Sequence, residues 1–266
     1  MHPLLILIRA AEANPWDAVA LVTFCCCWLG YEPLLRIISK KSGLITKDLS
    51  VVRAAWMKEA TQRGLKLFDS NLMGHAVNSA TNFSSANLIL IAAVAGVLFS
   101  SNLPLAAVKS LGFDVPTQHL FQLKLALITV CLTRGLLNFI WAIRQMNYCA
   151  AALGSLPEVM DAEASVDYTA ALSDILEPAM SNFSQGVRGY YFSLASAAWL
   201  FGPESLIIAS VGAIILLGWR QSRSQAARGL RRLRELLEAH PERLKSLASA
   251  QNFDENAAPH NNETKL

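Results

Sequence analysis

The chain has 266 residues, 53% of them hydrophobic and only 16% charged, with a formal net charge of +3. Soluble domains carry about 25% charged residues. Polar surface is therefore too scarce to coat a water-facing globule, and a membrane class is favoured. So small a net charge names no partner, and a basic tail without interleaved aromatics gives no reason to expect nucleic acid.

The opening stretch, "MHPLLILIRAAEANPW", has no basic region before its oily residues, and Arg9 interrupts them after six residues. It reads as an interfacial lead-in, not as a cleaved signal. A bilayer core of about 30 Å needs about 20 mostly apolar helical residues. The first such segment runs from Trp16 to Leu35, with Trp16, Trp28 and Tyr31 suited to interfaces and Asp17 and Glu32 near its ends. It contains Cys25, Cys26 and Cys27. With Cys131 and Cys149 the cysteines number five, an odd set without Cys-x-x-Cys spacing, so each reads as a small hydrophobe.

Residues 36–70 follow as a basic connection, with Leu49, Val52, Trp56 and Ala60 at helical spacing. This predicts an amphipathic helix lying on the membrane surface or packed under the bundle. Between Asp69 and Lys109 no Asp, Glu, Lys or Arg occurs over 39 residues, and a second crossing is placed at about Gly74–Ser100, ended by Asn102 and Pro104. The third is Leu120–Ile143. Residues 144–180 form cytoplasmic connecting helices with an acidic face, open to pairing with the basic segments. Ser181–Leu200 and Leu206–Trp219 supply the fourth and fifth crossings, separated by the helix breaker in "FGPES". Four crossings is the alternative if these two form one kinked helix. Residues 221–249 read as a basic cytoplasmic helix and 250–266 as a disordered tail. The fold class expected is an all-α integral membrane bundle.

Charge orients it. Arg36 to Lys66 holds eight Lys/Arg and the tail from Arg220 holds nine, whereas the opposite side holds Arg9 and Lys109. Positive-inside bias then puts the N-terminus outside and the C-terminus in the cytoplasm, with anionic lipid headgroups as partners of the basic helices.

Polar residues recur within the crossings. Asn71, His75, Asn78, Asn82 and Ser85 share one face of the second. Arg134, Asn138, Trp141, Gln145 and Tyr148 repeat the spacing in the third, extended backwards by Cys131 and Lys124, while Ser181, Gln185 and Arg188 form a shorter version in the fourth. Lipid cannot satisfy these groups, so they are expected to face one another or a wet cavity. Two uses remain open. One is binding or transport of a small polar or anionic ligand by Arg134, Arg144, Arg188 and Lys124, with Asn138, Gln145, Trp141 and Tyr148 around it and His75, Asn78 and Asn82 opposite. The other is a structural seam in a non-catalytic scaffold or assembly partner, itself a homo-oligomer or bound to another membrane protein. Asp69 is the nearest carboxylate expected for the buried arginines. No metalloprotease, nucleophile-elbow or phosphate-loop motif occurs. A non-enzyme without cofactor or metal is expected.

"VVRAAWMKEATQRGLKLFDSNLMGHAVNSATNF", "NFIWAIRQMNYCAAALGSLPE" and "FSQGVRGYYFSLASAAWLFGP" resemble, in order, the blocks of the domain of unknown function 599 family, from about Trp28 to Arg220. The run "TNFSSA" at Thr81–Ala86 departs from that pattern. The resemblance implies a multi-pass protein of the bacterial inner membrane and supplies no catalytic residues.

Overall fold

The computed structural model describes residues 15–39, 45–100, 110, 112, 114, 117–157 and 161–239, with only the backbone given for residues 32, 34–39 and 162. Its helices are α1 (Pro15–Ser39), α2 (Ile45–Gln62), α3 (Leu67–Leu98), α4 (Gln118–Gly154), α5 (Ala162–Ala197), a 3-10 turn (Ala198–Phe201), α6 (Pro203–Ser222) and α7 (Gln225–Ala239). No strand occurs among the described residues. The lead-in before Pro15, the stop at Asn102 and Pro104, and the tail beyond Ala239 lie outside them.

Local chemistry sets the helix ends. The Thr117 hydroxyl accepts from the Leu120 amide at 3.2 Å, and the Asp161 carboxylate accepts from the Ala164 amide at 2.7 Å. Each satisfies a first-turn donor that has no partner within its helix. Between the last two long helices Gly202 takes φ +124°, open to a residue without Cβ, and Pro203 starts α6. The break in "FGPES" therefore makes two helices, as the sequence predicts.

Two boundaries differ from expectation. The helix that carries the third crossing runs past Ile143 to Gly154, and the helix that carries the fourth begins at Ala162, well before Ser181. Nothing between Ile143 and Gly154 breaks a helix, and Pro178 leaves α5 unbroken. At about 1.5 Å per residue, α4 and α5 each reach about 55 Å, far beyond a bilayer core.

α4 packs on α5 and α3, α5 on α6, and α6 on α1. The α4–α5 crossing needs glycine on both sides: a Cβ on Gly189 would lie 3.1 Å from the Gly135 Cα, and one on Gly186 would meet the Phe139 ring at 2.7 Å. Small residues let the two backbones approach. Phe139 in turn stacks on Phe83 with centroids 5.6 Å apart, beside Phe183 and Tyr190.

Below this crossing, α2 lies against α5 and α7 against α2. Met57, Met73, Met146, Cys149, Leu172 and Leu176 form their buried core. Of the two placements expected for the basic helix α2, packing under the bundle holds. Arg53 forks onto Glu177 at 2.7 and 2.9 Å, so the acidic segment pairs with the basic one. Arg234 reaches Asp48 at 3.1 Å and Glu238 at 2.8 Å; Glu238 first, then Asp48, holds its proton more firmly than in a free arginine.

Above the crossing the chain is oily. Among the described residues, three stretches are long and apolar enough to cross a membrane: Leu67–Leu98, Gln118–Gly154 and Pro203–Ala239; Pro15–Tyr31 is apolar but shorter.

Candidate functional site

α1, α4 and α5 enclose a cavity. Trp28 and Tyr31 come from α1, Arg134 and Asn138 from α4, and Gln185 and Arg188 from α5. Each pair recurs after three or four residues, so each helix presents both members on one face. Cys131, Gly135, Gly189 and Phe192 also line it, and no carboxylate does so among the described residues. Water-sized centres have about 30 Å³ in it. One water needs about 10–15 Å³, so the space suits a small ion or two waters.

The guanidiniums lie over aromatic rings. Arg134 stands 5.2 Å from the Trp28 ring centroid, and Arg188 stands 5.6 Å from that of Tyr31. Ring faces are electron-rich and hold the cations in place, leaving the N–H edges free to donate. Neither arginine has a carboxylate partner among the described residues. α1 and α4 are not a closely packed pair, and Arg134 is exposed where it bridges them. The cavity thus opens between these two helices.

Of the residues singled out by spacing, Cys131, Arg134, Asn138, Gln185 and Arg188 meet here. The others do not. Gln145 accepts from Asn182 at 2.7 Å farther down the α4–α5 pair, a purely interhelical bond. Arg144 donates to Tyr148 at 2.6 Å on an exposed face, and Trp141 is about half exposed beside it.

His75, Asn78 and Asn82, with Asn71 and Ser85, are exposed. They share one face, as spacing requires, but that face points away from α4. The buried positions of α3 are Asp69, Met73, Ala80 and Asn87. Two residues separate Met73 from His75, about 200° around a helix, and the apolar side takes the contact with α4. Lys124 is fully buried at the other end of α4, where it donates to Asp114 at 3.0 and 3.2 Å. Asp69 does not reach the arginines. It accepts from the Trp56 indole at 2.7 Å and Arg63 at 2.6 Å, joining α2 to α3.

Trp28 and Tyr31 were read only as interfacial aromatics. Their spacing of three was the signal that both face one partner.

The family model described as "Protein of unknown function, DUF599" matches residues 19–226. The chain belongs to this family. The matched region spans every DUF599 element that builds the cavity, from Trp28 to Phe192. No curated protein and no solved structure matches the chain.

Proposed function

We propose that this DUF599 protein is a five-crossing membrane bundle that holds a small anion between α1, α4 and α5. The observation that carries the anion reading is the convergence of Arg134 and Arg188 on a cavity with no carboxylate among the described residues that line it. Uncompensated guanidiniums in a low-dielectric setting attract an anion strongly. A conducting path has less support. Phe192 lines the cavity and packs with Phe24 and Trp199 in the core beyond it. The reading is of binding, without catalysis.

The membrane boundary is supported by levels. Arg220 donates to the Tyr191 hydroxyl at 2.6 Å, and the Tyr190 hydroxyl donates to the Phe83 carbonyl at 2.7 Å. Tyr31, Phe83, Arg134, Arg188 and Arg220 therefore stand at similar heights on α1, α3, α4, α5 and α6. From that belt to the far end, the charges described on these helices are Asp17, Lys124 and Glu204. Asp17 accepts from the Trp199 indole at 2.6 Å, Lys124 pairs with Asp114, and Glu204 lies in the first turn of α6. Val22, Ile89, Val130, Leu194 and Ile208 are all more than half exposed in between, and water would disfavour such a perimeter.

Gln118 to Arg134 is 16 residues, about 24 Å, a few Å short of the usual core. The arginines then sit at the lipid boundary and snorkel to it. On this reading the α3 amides lie outside the hydrocarbon, where water satisfies them. The basic belt faces the cytoplasm of a bacterial inner membrane. A C-terminal green fluorescent protein fusion is expected to fluoresce, and a reporter active only outside is expected to be silent there; the reverse pattern refutes the orientation.

The structural-scaffold reading is favoured by one contact, Asn182 to Gln145. An anion panel separates the two readings. With an anion at about 100 times its Kd, the purified protein is expected to melt roughly 5–10 °C higher, and Arg134→Gln with Arg188→Gln should abolish the shift. A panel of chloride, sulfate, phosphate and carboxylates that leaves the wild type unshifted would leave the seam as scaffold.

A further inference from the structure

We infer that the anion held by Arg134 and Arg188 is a phosphate group, presented by a phospholipid headgroup entering between α1 and α4 or by phosphate free in solution; this rests on the anion-site reading above. The donors on the page suit a tetrahedral oxyanion. Two guanidiniums from facing helices line this one cavity, each standing over a ring at 5.2 and 5.6 Å. Guanidinium forks match phosphate oxygens two at a time. The Asn138 and Gln185 amides, which also line it, can supply further donors to the remaining oxygens. A carboxylate offers about four acceptor sites confined to one plane, whereas donors arriving from facing helices suit the tetrahedral spread of phosphate oxygens. Halide has no directional demand, and guanidinium forks would be wasted on it.

Entry is set by the opening. Arg134 is exposed at the gap between α1 and α4, and it stands level with Tyr31 and Arg220. Leu29 on α1 and Leu137 on α4 flank that level and are 64% and 60% exposed. A phosphate tethered to acyl chains could reach the arginines from the side while its chains lie along those leucines.

The test uses the full chain in neutral nanodiscs of phosphatidylcholine. Phosphatidic acid or phosphatidylglycerol is added at a few mole per cent in one arm, inorganic phosphate in a second, and acetate, succinate and chloride in a third, with thermal unfolding and Trp28-dependent fluorescence as readouts. Stabilisation by the anionic phospholipids, weakened on the order of tenfold or more in Arg134→Gln and Arg188→Gln, supports the inference and assigns the lipid as source. Stabilisation by inorganic phosphate alone, with the same dependence on the arginines, supports it and assigns a soluble source. Arg134→Lys keeps the charge but loses the fork, so it should fold and still bind several-fold more weakly, which covers a glutamine variant that fails to insert. Arg134-dependent stabilisation by carboxylates or chloride, with none by either phosphate arm, overturns the phosphate inference while sparing the anion site. No arginine-dependent response in any arm overturns both.

Discussion

Gly186→Leu is expected to abolish the folded bundle in mild detergent, and Gly186→Ala to lower its stability by about 1–3 kcal/mol. The first added carbon already meets the Phe139 ring at 2.7–2.8 Å. That ring cannot retreat, because it is fully buried and hemmed in by Phe83, Phe183 and Tyr190. The better helix propensity of alanine offsets only about 1 kcal/mol of this. Gly96→Ala is the control, because nothing lies within 4 Å of its Cβ position; that variant should match or exceed the wild type. Thermal unfolding of the three variants side by side checks the claim, and equal stability of Gly186→Ala and Gly96→Ala would contradict the close α4–α5 crossing.

Asp69→Ala should destabilise the lower bundle by about 2–4 kcal/mol. Removing one member of a buried pair leaves the other uncompensated, and here two donors lose their acceptor at once: the Trp56 indole and Arg63. Arg63 is 33% exposed and can turn to water, which keeps the figure below that of a sealed pair. Asp69→Asn retains an acceptor for Trp56 and should recover about half of the loss. Since this contact joins α2 to α3, hydrogen exchange should rise first in Ile45–Gln62 of the alanine variant. Unchanged protection of α2 would show that its place depends on Arg53–Glu177 alone.

Much of this architecture is legible in the residues. The Gly202–Pro203 pair marks the last hairpin because one residue takes a left-handed backbone and the next cannot continue a helix. The acidic and basic stretches announce their pairing through Glu177 and Arg53. The ends of the two longest helices are not legible. Hydropathy declines along α4 and α5 without any breaker, so the chain stays helical beyond Ile143 and begins well before Ser181.

The same limit governs the polar stripes. Spacing puts Asn71, His75, Asn78, Asn82 and Ser85 on one face, but periodicity is silent on which neighbour that face meets. Met73, Ala80 and Asn87 take the contact with α4, and the amides are left outside. On α4 the polar line splits in two. Arg134 and Asn138 turn to the cavity, whereas Gln145 binds Asn182. One sequence pattern covers two structural roles because it crosses the level at which α1 and α6 end. The partners of Arg134 and Arg188 could not be read from spacing at all, since Trp28 and Tyr31 lie more than a hundred residues away.

Depth profiling along α3 tests the central claim, that the cationic cavity stands at the edge of the hydrocarbon with the lower bundle in water. Single spin labels at positions 78, 82, 89 and 97 would be compared in nanodiscs for collisions with oxygen, which concentrates in lipid, and with a nickel chelate, which stays in water. The account predicts chelate-dominated relaxation at 78 and 82 and oxygen-dominated relaxation at 89 and 97, with the change falling at the height of Arg134. Oxygen-dominated relaxation at 78, equal to that at 89, would place the α3 amides in lipid and contradict it.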